Sequence, residues 1–398
     1  MDSSSSAALR GASPSLTTSD EPSISHPLVF VGMSGGVDSS VSALLLKEQG
    51  YNVIGVYMKN WSKDLPGMKC PWAEDLADAK RVAVKLGIPF EVWDFEKDYR
   101  EKVVEYMLDE FKKGNTPNPD IMCNQEIKFK LFYKKAIERG ADFIATGHYA
   151  RIIDGKLARA VDENKDQTYF LYRISEEALA HTIFPIGEMK KPDVKKLAEK
   201  HGLHNAYKKE SMGVCFVGEV GMKDFLKEYI DIKPGEIREI ESKKVLGYHE
   251  GAVFYTIGQR HGLYLSGVAG EVNDGLPYYV VKKDLDKNIV YVSKNLNDKN
   301  IWTKELTLKD IIIRTNTACS RHASSRPSLR GSSLTHSPLV AKCLEQTVLV
   351  RLRHRAELIP AKFDGKKLTF ESEIKRPASG QSAVLYDGEI CLGGGIIA

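Results

Sequence analysis

The chain has 398 residues, 42% hydrophobic and 28% charged, with a formal net charge of +4. That is room for two or three domains of ordinary globular composition, and the mild positive charge permits an anionic partner without demanding one. No apolar run approaches the roughly 18–20 residues of a membrane span, and the six cysteines, none in a C-x-x-C pair, exclude a disulfide-stapled scaffold, a zinc ribbon and a thioredoxin-type motif.

In chain order, residues 1–26 are serine-rich, carry little apolar content and predict a disordered arm. As a transit peptide the arm is poor, because Arg10 stands against Asp2, Asp20 and Glu21. LVFVGM (28–33) predicts a buried strand, SGGVDSS (34–40) a loop, and VSALLLKEQG (41–50) a helix closed by Gly50. NVIGVYM (52–58) and PFEVWDF (89–95) predict strands around an amphipathic helix over 75–87; further helices are expected over 99–114 and 127–140, and a strand over 142–148. This alternation predicts an α/β, doubly wound parallel sheet covered on both faces. Its ligands would sit at the carboxyl ends of the strands, in loops 34–40, 58–60 and 147–149. Beyond about residue 215, AVFYTIGQ, YYVVKK, NIVYVS and TVLVRLRHR read as short strands of one or two small β-rich domains. Residues 316–342, rich in Ser and Arg and without an acidic residue, predict a disordered insertion.

SGGVDSS carries the first chemical signal. Glycines let the backbone approach an anion, and a helix N-terminus offers unpaired N–H groups and a positive dipole end. Ser34, Ser39 and Ser40 can add hydroxyl donors, and Asp38 would either position Mg²⁺ or cap the helix. No G-x-x-x-x-G-K-[ST] is present, so the loop is not that of a γ-phosphate-cleaving NTPase. An ordinary glycine-rich turn is the competing reading. Cys123, in TPNPDIMCN, stands just before a helix expected near Glu126, where a thiolate is favoured and neighbouring Asn and Pro suggest an exposed loop. Cys215, in ESMGVCFVG, is equally readable as a buried small hydrophobe. Lys190, Lys191, Lys195, Lys196 and Lys200 form a helical basic run that reads either as a solvated face or as an RNA contact, and Arg351, Arg353, His354 and Arg355 a second cluster better suited to a phosphate backbone.

The loop resembles the PP-loop of enzymes that split ATP between the α- and β-phosphates. The resemblance extends, in order, through GMSGGVDSSV, YMKNW, TPNPDIMCNQEIKF, ATGHYAR, KDQTYFLY, FPIGEMKKPDVKKLA, ESMGVCFVGE, YTIGQRHGL and GQSAVLYDGEICLGGGII. Together these resemble the tRNA-specific 2-thiouridylases, over most of the chain outside 1–26 and 316–342. The resemblance implies a PP-loop catalytic domain over 27–210, a small central domain over 211–284 and a C-terminal β-barrel over 285–398. It implies ATP contacts from Gly32, Met33, Ser34, Gly35, Gly36, Val37, Asp38 and Ser39, with Met58 and Gly147 on the adenosine side, and Mg²⁺ to neutralise the triphosphate. It implies that Cys215 carries a persulfide, that Cys123 attacks it and closes a disulfide, and that Asp120 is acid/base on the target uridine. Asn118, Pro119 and Asp120 would contact the flipped base, and His148, Lys165, Asp166, Gln167, Arg353, His354 and Gln381 the tRNA.

A competing arrangement has Asp120, Cys123 and Cys215 ligating an iron–sulfur cluster with one iron open. Two further alternatives are an amidotransferase-type adenylating synthetase, which has no use for the cysteine pair, and an RNA-binding module that lost catalysis. Expected partners are tRNA and a cysteine desulfurase or sulfur-relay protein docking near Cys215; a monomer without membrane contact is expected. The serine-rich arm, the ESMG wording and the insertion 316–342 resemble mitochondrial members, with a cytoplasmic protein as the alternative. Deleting that insertion is expected to leave thiolation intact.

Overall fold

The structure, a computed structural model, describes residues 26–64, 70–209, 222–263, 265, 276–295, 297–298, 300–314 and 347–398. The expected arm up to residue 25, Cys215 with the ESMGVCFVG motif, and the insertion 316–342 lie outside the described residues.

The first domain runs β1 (Leu28–Gly32), α1 (Val37–Glu48), β2 (Asn52–Lys59), α2 (Trp72–Leu86) and β3 (Phe90–Asp94). Then α3 (Glu96–Tyr99), a π-helical turn over Arg100–Val104 and α4 (Glu105–Lys112) follow continuously. After a short loop come α5 (Pro119–Met122), a π-helical run over Cys123–Phe132 and α6 (Tyr133–Glu138). The domain continues with β4 (Phe143–Thr146), the hairpin β5 (Arg151–Ile153) and β6 (Lys156–Ala158), α7 (Thr168–Leu171), α8 (Glu176–Ala180), β7 (Thr182–Ile183) and α9 (Lys191–Lys200). The sheet order is β3-β2-β1-β4-β7, all parallel. β1 is apolar throughout because both its faces are covered: Phe30 enters one core with Trp93 and Phe132, while Val29 and Val31 enter the other with Leu44, Leu46 and Val82. The chain reverses its winding between β1 and β4, and there the carboxyl ends of the strands open a crevice.

The central domain contains α10 (Met222–Tyr229), β8 (Gly235–Glu239), β9 (Val245–His249), β10 (Tyr279–Asp284) and β11 (Ile289–Ser293), with sheet order β10-β11-β8-β9. β11 pairs with β10 and β8, so this sheet runs past residue 284, the expected boundary. AVFYTIGQ is not a strand. A 3₁₀ turn over Ala252–Phe254 occupies it, closed by Phe254 N–H on Gly251 O and Tyr255 N–H on Ala252 O, and Gly258 then turns the chain at φ +80°.

β12 (Trp302–Ile313), β13 (Thr347–Arg351), β14 (Ile359–Phe363), β15 (Lys367–Lys375), β16 (Ser382–Asp387) and β17 (Ile390–Ile397) form the C-terminal barrel. It runs β12-β15-β14-β13-β16-β17 and closes through β12–β17. The glycine run of β17 permits this closure, since a Cβ at Gly393 would lie 2.0 Å from Ile312 O. β6 of the first domain pairs with β17 at Ala158 and Ile390, which hooks the catalytic domain onto the barrel.

Candidate active site

The SGGVDSS segment joins β1 to α1, the strand–loop–helix placement the sequence predicts. Gly36 is the N-cap of α1 in extended conformation, and no side chain caps the helix, so the first-turn N–H groups face the crevice without a side-chain acceptor. Gly35 adopts φ +77°, and a Cβ there would lie 2.3 Å from Asp75 O. At the end of β4, a Cβ on Gly147 would lie 2.5 Å from Ser39 N, so the backbone of β4 presses directly on the start of α1. Met58 Cε lies 2.9 Å from where a Cβ of Gly32 would stand. Gly32 thus meets Met58, and Gly147 meets Ser39, around the carboxyl ends of the strands, where the head of α1 forms a cradle of backbone N–H groups.

Two expectations for this loop are corrected. Asp38 does not cap α1; its carboxylate accepts from Lys191 Nζ at 2.7 and 2.8 Å and from Tyr149 Oη at 2.9 Å. Nor do the hydroxyls of Ser39 and Ser40 point into the crevice, because both residues are buried and both hydroxyls turn back to Gly36 O, at 3.1 and 2.9 Å. Among the described residues no group of three His, Cys, Asp or Glu could hold a metal ion. With Asp38 already ion-paired, the side chains around the loop do not fit a protein-held Mg²⁺. Lys191, in the run the sequence reads as either a solvated face or an RNA contact, is buried, whereas Lys195, Lys196 and Lys200 face solvent. Asn205, not foreseen at all, donates from Nδ2 to Gly35 O and Ser40 Oγ, both at 2.9 Å.

The second group forms around α5. Asn118 caps this helix by accepting from Ile121 N–H, and Pro119 takes the first helical position, so the helix starts well before Glu126. Cys123 therefore lies in the second turn, not before a helix. It is only 4% exposed, packed in the core that holds Ile121, Ile127 and Phe129, which corrects the expectation of an exposed loop. Burial raises the Asp120 carboxyl above the ordinary range, opposed by the Lys128 ammonium. Lys128 Nζ also lies 3.4 Å from His148 Nε2, and His148 Nδ1 lies 2.8 Å from Thr146 Oγ1. An ammonium can only donate, so Nε2 accepts and Nδ1–H is given to Thr146. Burial, and then Lys128, hold His148 well below its ordinary pKa, so the ring is neutral. Lys128 was missed by sequence reasoning, and nothing in the KFK tripeptide marks which lysine turns inward.

Two of the expected tRNA residues, Asp166 and His354, make contacts across the seam between the first domain and the barrel. Asp166 is 1% exposed; its carboxylate accepts from Arg351 of β13 and from Thr168 Oγ1 at 2.9 and 3.0 Å. Gln167 Oε1 accepts from Tyr149 N–H at 2.9 Å, and His354 packs on Phe170 with ring centroids 4.6 Å apart. Burial, reinforced by Arg355, lowers the His354 pKa to about 4, so this ring is neutral at physiological pH and its charge does not respond there. Arg353 faces solvent and Lys165 is half-buried, while Asp166, through Arg351, and His354, through Phe170, join the two domains; Gln167 bonds within the first. Gln381 donates from Nε2 to Thr116 O at 2.8 Å.

Three family models match the chain in succession. They are described as the tRNA methyl transferase HUP domain (residues 27–219), the tRNA methyl transferase PRC-barrel domain (223–294) and the Aminomethyltransferase beta-barrel domain (334–397). The chain is 45% identical over 374 residues to the tRNA-specific 2-thiouridylase MnmA of Listeria monocytogenes serotype 4a (strain HCC23), covering 93% of this chain and 94% of that protein. It is 43% identical over 374 residues to the enzyme of the same name from Bacillus subtilis (strain 168), with the same coverage. Among solved structures it is similar to a 4-thiouridine synthetase in an RNA complex with bound ATP, at 20% identity and a TM-score of 0.33, covering 46% of this chain and 43% of that one. The named relatives are bacterial, and bacteria have no mitochondria; this overturns the mitochondrial expectation, while the cytoplasmic alternative fits. Such identity, carried through nearly the whole length of both chains, means that the chain belongs to the tRNA-specific 2-thiouridylases, a family of tRNA-uridine 2-sulfurtransferases.

Proposed function

We propose that this enzyme uses ATP to replace O2 of the wobble uridine of tRNA with sulfur carried as a persulfide. One observation carries the reading: the end of β4 joins two chemistries. Gly147 presses on the head of α1, and His148, the next residue, reaches Lys128, whose charge acts on Asp120. A site that splits ATP and a site that handles a base then share a wall.

The C2 oxygen of uracil is a poor leaving group, and ATP supplies the remedy by turning it into part of AMP. The N–H groups at the head of α1 and of Gly35–Gly36 would hold the phosphates, with Met58 and Gly147 against the adenosine. Lys191 neutralises Asp38 and so removes a carboxylate that would repel them. Mg²⁺ would find its ligands on the phosphates. Asp120, with its raised pKa, is suited to hold and return the N3 proton of the base. For sulfur, the Cys123 thiolate attacks the Cys215 sulfur of Cys215–S–SH. The S–S bond breaks, hydrosulfide leaves and a Cys123–Cys215 disulfide forms. Hydrosulfide then displaces AMP at C2, and external thiol reduces the disulfide for the next turnover. A cysteine desulfurase or relay protein would recharge Cys215.

The test is reconstitution. Given ATP, Mg²⁺, a persulfide donor and tRNA transcript, the purified chain is expected to form AMP and 2-thiouridine in equal amounts, read by mass spectrometry of nucleosides. Absence of both products sinks the reading. Full activity of an iron-free preparation excludes the cluster arrangement of Asp120, Cys123 and Cys215.

A further inference from the structure

The loop between α4 and α5 leads directly into Asn118, Asp120 and Cys123, yet much of what holds it comes from elsewhere in the molecule. Its own domain fixes the start: Asn115 N–H bonds Glu110 O at 2.9 Å, and Asn115 Nδ2 bonds the carboxylate of the buried Glu110 at 2.7 Å. Gly114, at φ +81°, then turns its carbonyl outward to accept from Lys283 Nζ at 2.9 Å. Lys283 belongs to β10 of the central domain. Leu285, just beyond the strand, fills the space beside Gly114, where a Cβ would lie 2.6 Å from Leu285 Cδ1. The barrel grips Thr116 by both its backbone groups: its N–H bonds Ser379 O at 2.7 Å and its carbonyl accepts from Gln381 Nε2 at 2.8 Å. Gly380, at φ +90°, brings the backbone of the turn before β16 so close that a Cβ would lie 2.9 Å from Asn115 Cβ.

A lysine is a poor choice here if the aim is only stability. Its ammonium loses hydration and gains one carbonyl, and among the described residues no carboxylate pairs with it; burial lowers its pKa to about 8. A methionine of similar volume would bury its length at less cost. What the lysine adds is a directed hydrogen bond to the backbone that carries the chemistry. Gln381, expected from the family resemblance to touch tRNA, here spends its donor on the same loop from the opposite domain.

We propose that Lys283 and Gln381 are positioning residues for sulfur transfer: by holding the carbonyls of Gly114 and Thr116 they set Asn118, Asp120 and Cys123 against the phosphate cradle. The proposal rests on the function proposed above. The central domain and the barrel then act on catalysis itself as well as on RNA binding. A segment displaced by about 1 Å is enough to lose up to a hundredfold in rate.

The test uses Lys283→Met and Gln381→Met, which remove the donor without changing length much. Each is expected to lower kcat for thiolation by about tenfold or more while KM for tRNA stays within about twofold. The double variant should fall short of the product of the two, since both act on one loop. Lys283→Arg, which keeps a donor, should retain most of kcat. Alkylation of Cys123 in the reduced full-length protein, followed by peptide mapping, should be faster in both Met variants, because a loosened loop exposes the buried thiol. A raised KM with unchanged kcat and unchanged alkylation overturns the proposal and makes Gln381 a direct tRNA contact. If the wild-type protein does not thiolate but the alkylation rates still rise, positioning stands and the proposed function falls. Should Lys283→Met fail to fold, Gln381→Met decides alone.

Discussion

The phosphate cradle and the segment Asn118–Cys123 are built in opposite ways. The cradle is mostly self-made. Ser39 Oγ bonds Gly36 O and Ser34 N–H, Ser40 Oγ bonds Gly36 O, and the side chains that steady it, Lys191 and Asn205, come from the same domain. The Asn118–Cys123 segment starts from a local cap, yet its approach loop is held by the central domain through Gly114 and by the barrel through Thr116. On the proposed function, adenylation would rest on a scaffold built within one domain, and base and sulfur chemistry on a segment whose approach loop is held by the other two. Substitutions should separate the two.

The sharpest separation comes from Cys123→Ser. It should abolish sulfur transfer, with a loss of at least about 10³-fold expected when a nucleophile is removed. ATP–pyrophosphate exchange in the presence of tRNA should continue, because the hydrogen bonds that shape the cradle run through Ser34, Gly36, Ser39, Ser40 and Asn205. Loss of both activities would mean that the two regions are not separable. Gly147→Ala tests the opposite side. Its Cβ would meet Ser39 N at 2.5 Å, a backbone contact that cannot yield cheaply, so α1 must shift at a cost of about 1–3 kcal/mol. ATP affinity measured by calorimetry should fall along with exchange; unchanged affinity would remove Gly147 from the nucleotide site.

Lys191→Met is expected to act next most strongly. It leaves the Asp38 carboxylate without its ammonium and still accepting from Tyr149 Oη, and the partner removed is itself buried. Breaking such a pair from one side is costly, and ATP binding should weaken by roughly ten- to a hundredfold. Asp38→Asn in the same chain should restore a good part of that loss. If the double variant binds ATP no better than Lys191→Met, charge neutralisation is not what Lys191 provides.

How much of this was legible in the sequence follows from the same contrast. The strand–loop–helix pattern around SGGVDSS needs only neighbours to be recognised, and it gave the cradle and the doubly wound sheet. Lys191 was readable but misplaced: it shares the stripe of Val194 and Ala198 on α9, the buried face, and a lysine on an apolar stripe signals a buried partner. The start of α5 was also written locally, as Asn118 before Pro119, although the helix was expected nearer Glu126. The roles of Lys283 and Gln381 could not be read from pattern, because their bonds join β10 and the edge of β16 to a loop far away in the chain. Burial of Asp166 was hidden for the same reason, since Arg351 arrives from the barrel.

The weakest expected effect lies at that same seam. His354 packs against Phe170, and burial holds its pKa at about 4, against an ordinary value of 6.5. Between these values the unfolded chain binds a proton that the folded chain refuses. The stability contributed by the neutral ring is thus fully present above about pH 6.5 and is lost as pH falls toward 4. His354→Phe keeps an aromatic face for Phe170 and removes the titration, so the variant's thermal midpoint should decline less than the wild type's between pH 7 and pH 4.5. At pH 7 the two should melt alike and thiolate alike, because a neutral ring placed behind Arg353 offers the RNA no charge to lose. A drop in tRNA affinity at pH 7 with an unchanged melting profile would place His354 at the RNA surface instead, and the seam would then belong to recognition more than to domain assembly.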